Sequence, residues 1–249
     1  MPVCYYTILS PTRDAGVESL KSPVSALDPS MIAPDYAKAR ENMVEQQVRP
    51  WDVLDVRVLD VLSELPREAF VPPAFRALAY ADLPVPLGHG QAMLKPVVEG
   101  RMLQSLALQP SDEVLEVGTG SGYASACLGR LVRDVVSLEI VPELAAGARA
   151  CLDAQGLGRN VRIEVADAMR YDTDRRFDAI CLSAAVDALP EHFARWLRPA
   201  GRLFFVDGRA PAMNAKLLRN DVNGQRIESL FETELPYLVG AAPTPEFLF

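Results

Sequence analysis

Histidine and cysteine are scarce in this chain, and it lacks both a long apolar run and an excess of positive charge. Two histidines, His89 and His192, stand far apart in 249 residues. That is too little for a His-rich metal centre or for a nucleophile worked by a neighbouring imidazole, and no metal is expected. Four cysteines, Cys4, Cys127, Cys151 and Cys181, have no C-x-x-C spacing, which argues against zinc and dithiol motifs. Three of them fall in apparent strands or helices, where a free thiol behaves as a small hydrophobe. Reduced thiols and a cytoplasmic location are the expectation. No apolar stretch approaches the ~20 residues of a membrane span, and the first residues lack the basic segment of a secretory signal, so neither membrane nor export is expected. With 33 acidic against 25 basic residues the formal charge is −8, which disfavours a nucleic-acid partner, whose phosphates select basic surfaces.

What is present is a soluble composition, 49% hydrophobic and 23% charged, and one dense motif. Val114-Leu115-Glu116-Val117-Gly118-Thr119-Gly120-Ser121-Gly122-Tyr123 reads as an apolar strand, an acidic residue, and glycines at alternate positions opening a helix. Such glycines permit a tight turn and close approach of backbone to a ligand. A loop built for a pyrophosphate has the spacing G-x-G-x-x-G and bare N–H groups at a helix N-terminus. Here the order is E-x-G-x-G-x-G, and the carboxylate of Glu116 would repel a phosphate. It suits a cation, and S-adenosylmethionine carries an ammonium and a sulfonium without any phosphate.

Two further carboxylates support the same ligand. Val135 to Glu139 is a short strand ending in an acid about 20 residues past the glycines, the place where dinucleotide folds grip ribose hydroxyls. Val161 to Ala166 ends at Asp167, which can accept from an exocyclic amine such as that of adenine. Gly118, Thr119, Gly120, Ser121, Gly122 and Tyr123 are expected around the amino-acid end of the donor, Glu139 at its ribose, Asp167 and Ala168 at its adenine, and Ser183 beside its methyl.

Prolines 2, 11, 23, 29 and 34 interrupt the first 34 residues, which read as a flexible extension. Helical spacing begins at Tyr36 and runs to Pro50, then again from Asp55 to Leu65. Residues 70–88, with four prolines, read as irregular chain. From residue 97, strands at 113–117, 135–139, 161–166, 179–183 and 202–206 alternate with helices, which predicts a Rossmann-like, doubly wound α/β sheet, mostly parallel. Lys216 to Leu235, turned at Asn223-Gly224, reads as an antiparallel edge hairpin. That combination is the plan of a class I methyltransferase with an N-terminal helical addition.

From Asn42 to Gly240 the chain resembles the protein-L-isoaspartate O-methyltransferase family. The likeness is carried by Met43-Val44-Glu45-Gln46-Gln47, Pro66-Arg67-Glu68-Ala69-Phe70-Val71-Pro72, Ala79-Tyr80-Ala81-Asp82, Gly88-His89-Gly90-Gln91, the glycine motif, Asp178-Ala179-Ile180 with Ser183-Ala184-Ala185, and Leu235-Pro236-Tyr237-Leu238-Val239-Gly240. The chain therefore reads as three segments: residues 1–34 as the extension, 35–96 as a helical and acceptor-loop region, and 97–249 as the donor-binding domain. The resemblance implies S-adenosylmethionine as methyl donor and, as partner, a protein or peptide bearing the free carboxylate of an isoaspartyl residue. A carboxylate is ionised at neutral pH, so its methylation needs orientation and loss of water more than a base.

The acceptor loop carries the candidate catalytic residues His89, Gln91 and Lys95. Where the family reads Gly-His-Gly-Gln-Thr-Ile-Ser-Gln-Pro, this chain has Ala92 for the threonine, Leu94 for the serine and Lys95 for the second glutamine. The exchange leaves two alternatives beside isoaspartyl methylation: a methyltransferase of the same fold with another acceptor, and a donor-binding protein without catalysis.

Overall fold

The computed structural model describes residues 35–222 and 224–244. The expected extension at 1–34 and Asn223 of the hairpin turn lie outside the described residues.

Helix α1 (Tyr36–Met43) is opened by Asp35, whose carboxylate accepts from the Lys38 N–H at 3.0 Å, satisfying one of the free donors of the first turn. The helical run expected to reach Pro50 changes pitch instead. It widens into a π turn at Val44–Val48 and tightens into a 3-10 turn at Arg49–Trp51, because Pro50 has no N–H with which to extend the α ladder. Met43, Val44 and Val48 are buried throughout this change. Helix α2 (Val56–Glu64) buries Val58, Leu59, Val61 and Leu62 on one face and stops at Leu65, which the following Pro66 holds in the extended region.

Residues 85–93 form a short antiparallel ribbon, β1 (Val85–Gly88) with β2 (Gln91–Met93), rather than irregular chain. Pro84 and Pro86 hid it, and Pro86 is tolerated because the ribbon has free edges.

After helix α3 (Pro96–Ser105), the main sheet is built from β3 (Glu113–Val117), β4 (Asp134–Glu139), β5 (Val161–Val165), β6 (Phe177–Val186), β7 (Leu197–Arg209), β8 (Ala212–Asp221) and β9 (Gly224–Glu232). Helices α4 (Tyr123–Leu131), α5 (Pro142–Ala154) and α6 (Glu191–Arg195) lie between strands. The strand order is β5-β4-β3-β6-β7-β8-β9. The first five run parallel to one another, and β8 and β9 join antiparallel beside β7, as expected for the edge hairpin.

Both faces of the sheet are covered, and the two-residue period of a strand divides its side chains between two cores. Val114, Val135, Ile163, Ala179 and Phe204 join α2, α3, α4 and α5 on one side. Leu115, Val117, Leu138, Ile180 and Phe205 meet Phe193 and Trp196 on the other. From β3 the chain builds outward to β4 and β5, then returns to place β6 on the opposite side of β3. Such a reversal leaves a crevice at the carboxyl ends of the two central strands, where ligands of open α/β sheets bind.

Candidate active site

A cleft opens at that crevice, the place in an α/β sheet where small-molecule sites form. Its floor comes from the strand tips: Val117, Gly118, Thr119, Gly120 and Ser121 after β3, Leu138 and Glu139 at the end of β4, Ala166, Asp167 and Ala168 after β5, and Ser183 in β6. Leu87 and Gln91 to Leu94 of the β1–β2 ribbon and its exit wall it on one side, Leu238 and Val239 on another.

The turn after β3 is held by its own backbone and by Glu139. Gly118 N–H donates to Leu138 O at 2.9 Å and Gly122 N–H to Thr119 O at 2.9 Å. Gly120 N–H donates to Glu139 Oε2 at 2.8 Å, while Val141 N–H donates to Oε1 at 3.0 Å. Gly120 has φ 53°, and a Cβ there would stand 3.1 Å from Leu87 Cδ1, so the ribbon approaches the turn as closely as a glycine permits. Asp167 closes its own turn by accepting from Met169 N–H at 2.9 Å. The Oγ of Ser183 is buried without a hydrogen-bond partner, and a buried hydroxyl in that state calls for a ligand atom or water.

Charge is one-sided in the cleft. Among the described residues it is lined by three carboxylates, Glu99, Glu139 and Asp167, and by no lysine, arginine or histidine.

Three residues expected at the ligand are not brought to the cleft. Glu116 is fully buried, because it alternates onto the same sheet face as Val114 and so points under the turn at α4. There Ser125 and Ser137 donate to its Oε2, the latter at 2.6 Å, and Ser137 Oγ lies 2.5 Å from Thr119 Oγ1. Burial pushes its carboxyl up to about 7, against the two serine hydrogen bonds. Tyr123 is likewise enclosed, edge-on to Phe70 at 5.6 Å and beneath the Arg67 guanidinium at 4.8 Å. Gly122 faces α5 rather than the ligand, and a Cβ on it would meet Ala148 Cβ at 2.9 Å. Glycine spacing reports backbone needs but not which side of the turn each residue serves.

Of the acceptor-loop candidates, Gln91 lines the cleft. His89 is exposed at the ribbon's turn with φ 54°. Lys95 lines an adjoining groove, walled by Pro84, Met213, Glu234, Leu235 and Tyr237, that shares Ala92, Met93 and Leu94 with the cleft. His192 is a packing residue, tilted against Phe193 and edge-on to Trp196, and a ring nitrogen lies 3.1 Å from Ala168 O.

Sequence reasoning missed Glu99 and its partner. Arg67, also fully buried, donates to Glu99, to Leu94 O and, at 2.8 Å, to Ala79 O. Burial raises the Glu99 carboxyl to about 7, with Arg67 pulling it down. The available signal was an isolated acid in the apolar run Val97-Val98-Glu99-Gly100.

The chain is similar to known proteins. A family model described as protein-L-isoaspartate(D-aspartate) O-methyltransferase matches residues 38–231. A protein-L-isoaspartate O-methyltransferase of Methylorubrum extorquens is 43% identical over 197 residues, spanning 79% of this chain and 85% of the relative. One from Aeropyrum pernix is 40% identical over 210 residues, 76% and 81% of the two chains. Among solved structures, a candidate protein-L-isoaspartate O-methyltransferase of Plasmodium falciparum, in complex with S-adenosyl-L-homocysteine, superposes with TM-score 0.72 over 83% of this chain and 99% of its own at 20% identity. That likeness is one of fold.

Proposed function

Because the chain belongs to the protein-L-isoaspartate(D-aspartate) O-methyltransferase family, we propose that it transfers a methyl group from S-adenosylmethionine to the free carboxylate of L-isoaspartyl residues in damaged proteins and peptides. The observation that carries the donor assignment is the one-sided charge of the cleft, with Glu99, Glu139 and Asp167 and no basic side chain among the described residues. A phosphate-bearing cofactor would meet these carboxylates with no basic side chain among the described residues to offset them. A methionyl end with an ammonium and a sulfonium against one carboxylate, a hydroxylated ribose and an aminopurine present cations and donors that match these carboxylate acceptors.

Bound in the cleft, S-adenosylmethionine supplies an electrophilic methyl: the acceptor oxygen bonds to that carbon as the carbon–sulfur bond breaks, its electron pair staying on sulfur. The protein's part is to hold and to aim. Gly118 to Ser121 would receive the amino-acid end, Glu139 the ribose, and Asp167 with Ala168 the adenine, with the unpartnered Ser183 hydroxyl near the reacting carbon. The acceptor enters along the groove that shares Ala92, Met93 and Leu94 with the cleft. Its carboxylate, with a pKa near ~4, needs no base; passing between Met93 and Leu94 it loses water, which raises its reactivity. Lys95, which has no ion pair among the described residues, offers the countercharge, Gln91 a side-chain amide donor, and His89 a contact for the flanking peptide.

Transfer of labelled methyl from S-adenosylmethionine to an isoaspartyl peptide, with none to the matching aspartyl peptide, is the expected result. No transfer to the isoaspartyl peptide would reject the proposal. The apolar wall at Ala92 and Leu94 favours a second reading, a different carboxylate or small-molecule acceptor on the same machinery. Restoring both hydroxyls in an A92T/L94S variant separates them: isoaspartyl turnover should rise about thirtyfold or more, given the ~2–4 kcal/mol that one oriented donor contributes, and no rise would favour the other acceptor.

A further inference from the structure

We propose that Glu99 is a donor-binding residue whose carboxylate pairs with the α-ammonium of the donor's methionyl group, a role that rests on the donor reading above. Glu99 sits in the first turn of α3, 2% exposed, and still reaches the cleft wall. One of its oxygens, Oε2, is held by Arg67, the one ion-pair partner of Glu99 among the described residues, while the side chain still borders the cleft. A carboxylate has about four acceptor sites, and taking it out of water is costly unless polar or charged groups meet it. Arg67 cannot do more, since its three nitrogens already serve Ala79 O, Glu99 and Leu94 O.

Position along the cleft identifies which part of the donor Glu99 meets. The strand tips run β5, β4, β3 in space, carrying Asp167, Glu139 and the glycine turn in that order, so the ligand runs from adenine through ribose to its amino-acid end. Arg67, which grips Glu99, lies over the ring of Tyr123 at 4.8 Å, and Tyr123 is the first residue of α4, directly after the glycine turn. Glu99 therefore enters at the amino-acid end. The Arg67 pair keeps the carboxylate in one orientation, and a cation in the cleft adds to Arg67 in opposing the burial that raises its proton affinity.

Calorimetry with three ligands tests this. S-adenosylhomocysteine keeps the ammonium but has no sulfonium, and 5′-methylthioadenosine has neither. In E99Q, binding of S-adenosylmethionine and S-adenosylhomocysteine should each weaken about tenfold, one hydrogen-bonded charge pair's worth, with methylthioadenosine unchanged. Equal losses for all three ligands would overturn the proposal by showing a general collapse of the cleft, and so would a loss confined to S-adenosylmethionine, which would put the sulfonium at Glu99. Unchanged binding in E99Q also overturns it while leaving the donor reading intact, whereas a wild-type protein that binds none of the three removes both. Should E99Q fail to fold with Arg67 left uncompensated, R67Q/E99Q, which buries no net charge, carries the same expected pattern.

Discussion

Glu116 is sealed beneath the glycine turn, with Ser125 and Ser137 on one carboxylate oxygen and nothing bonded to the other. Burial is the main cause of its rise from 4.5 to about 7, and the nearby Glu139 and Glu99 add to it. The folded state thus holds this proton more tightly than the unfolded chain does, so stability falls as pH climbs from about 4.5 to 7 and is flat above. A glutamine at this position keeps an acceptor for both serines without the charge. E116Q should melt with the wild type near pH 5 and several degrees higher at pH 8; a constant difference across that range would show that the carboxyl does not titrate there. The same residue marks a limit of reading side chains from a motif. An acid before a glycine turn suggests a ligand contact, but strand alternation sends Glu116 to the helix-covered face. The cleft-lining acid in that neighbourhood is Glu99, 17 positions earlier on another element.

At the level of elements, the glycine turn does two jobs on its two sides. Its cleft side, Gly118 to Ser121, gives a ligand close access to backbone; its far side, Gly122, lets α4 and α5 close together. Gly122 has φ 84°, and a Cβ there would fall 3.2 Å from Ala148 Cα as well as 2.9 Å from its Cβ. G122A should therefore destabilise the fold by about 1–3 kcal/mol from backbone strain and overpacking together, read as a lower denaturant midpoint with unchanged slope. A midpoint equal to wild type would mean that the α4–α5 contact is slack. The regular strands and the helices between them were legible in the amino-acid sequence, because buried parallel strands are short apolar runs and helices carry caps and stops. The β1–β2 ribbon was not. Its prolines argue locally against a strand, and only its position as a wall of the cleft, tied down at Leu94 O by Arg67, explains why the ribbon forms there.

For the whole molecule, the sheet reversal between β4 and β6 sets the cleft, and the cleft's charge selects the ligand. Binding a cationic or zwitterionic nucleoside should raise the melting temperature where a dinucleotide does not. At 100 times its Kd, S-adenosylhomocysteine would add ~2.7 kcal/mol, roughly 5–10 °C for a domain of this size. NAD at the same concentration should leave the melting curve in place, and a shift with NAD alone would contradict the charge argument. No helix among the described residues is long and apolar enough to cross a membrane. The primary structure alone determined the α/β alternation, the glycine turn, the acids at the tips of β4 and β5, and membership of the family, all of which depend on local spacing along the chain. Which carboxylates reach the cleft, the burial of Glu116 and Tyr123, and the Arg67–Glu99 pair at the wall of the cleft were decided only in three dimensions. Their partners lie far apart in the chain, and it is packing that determines which of two faces a side chain must occupy.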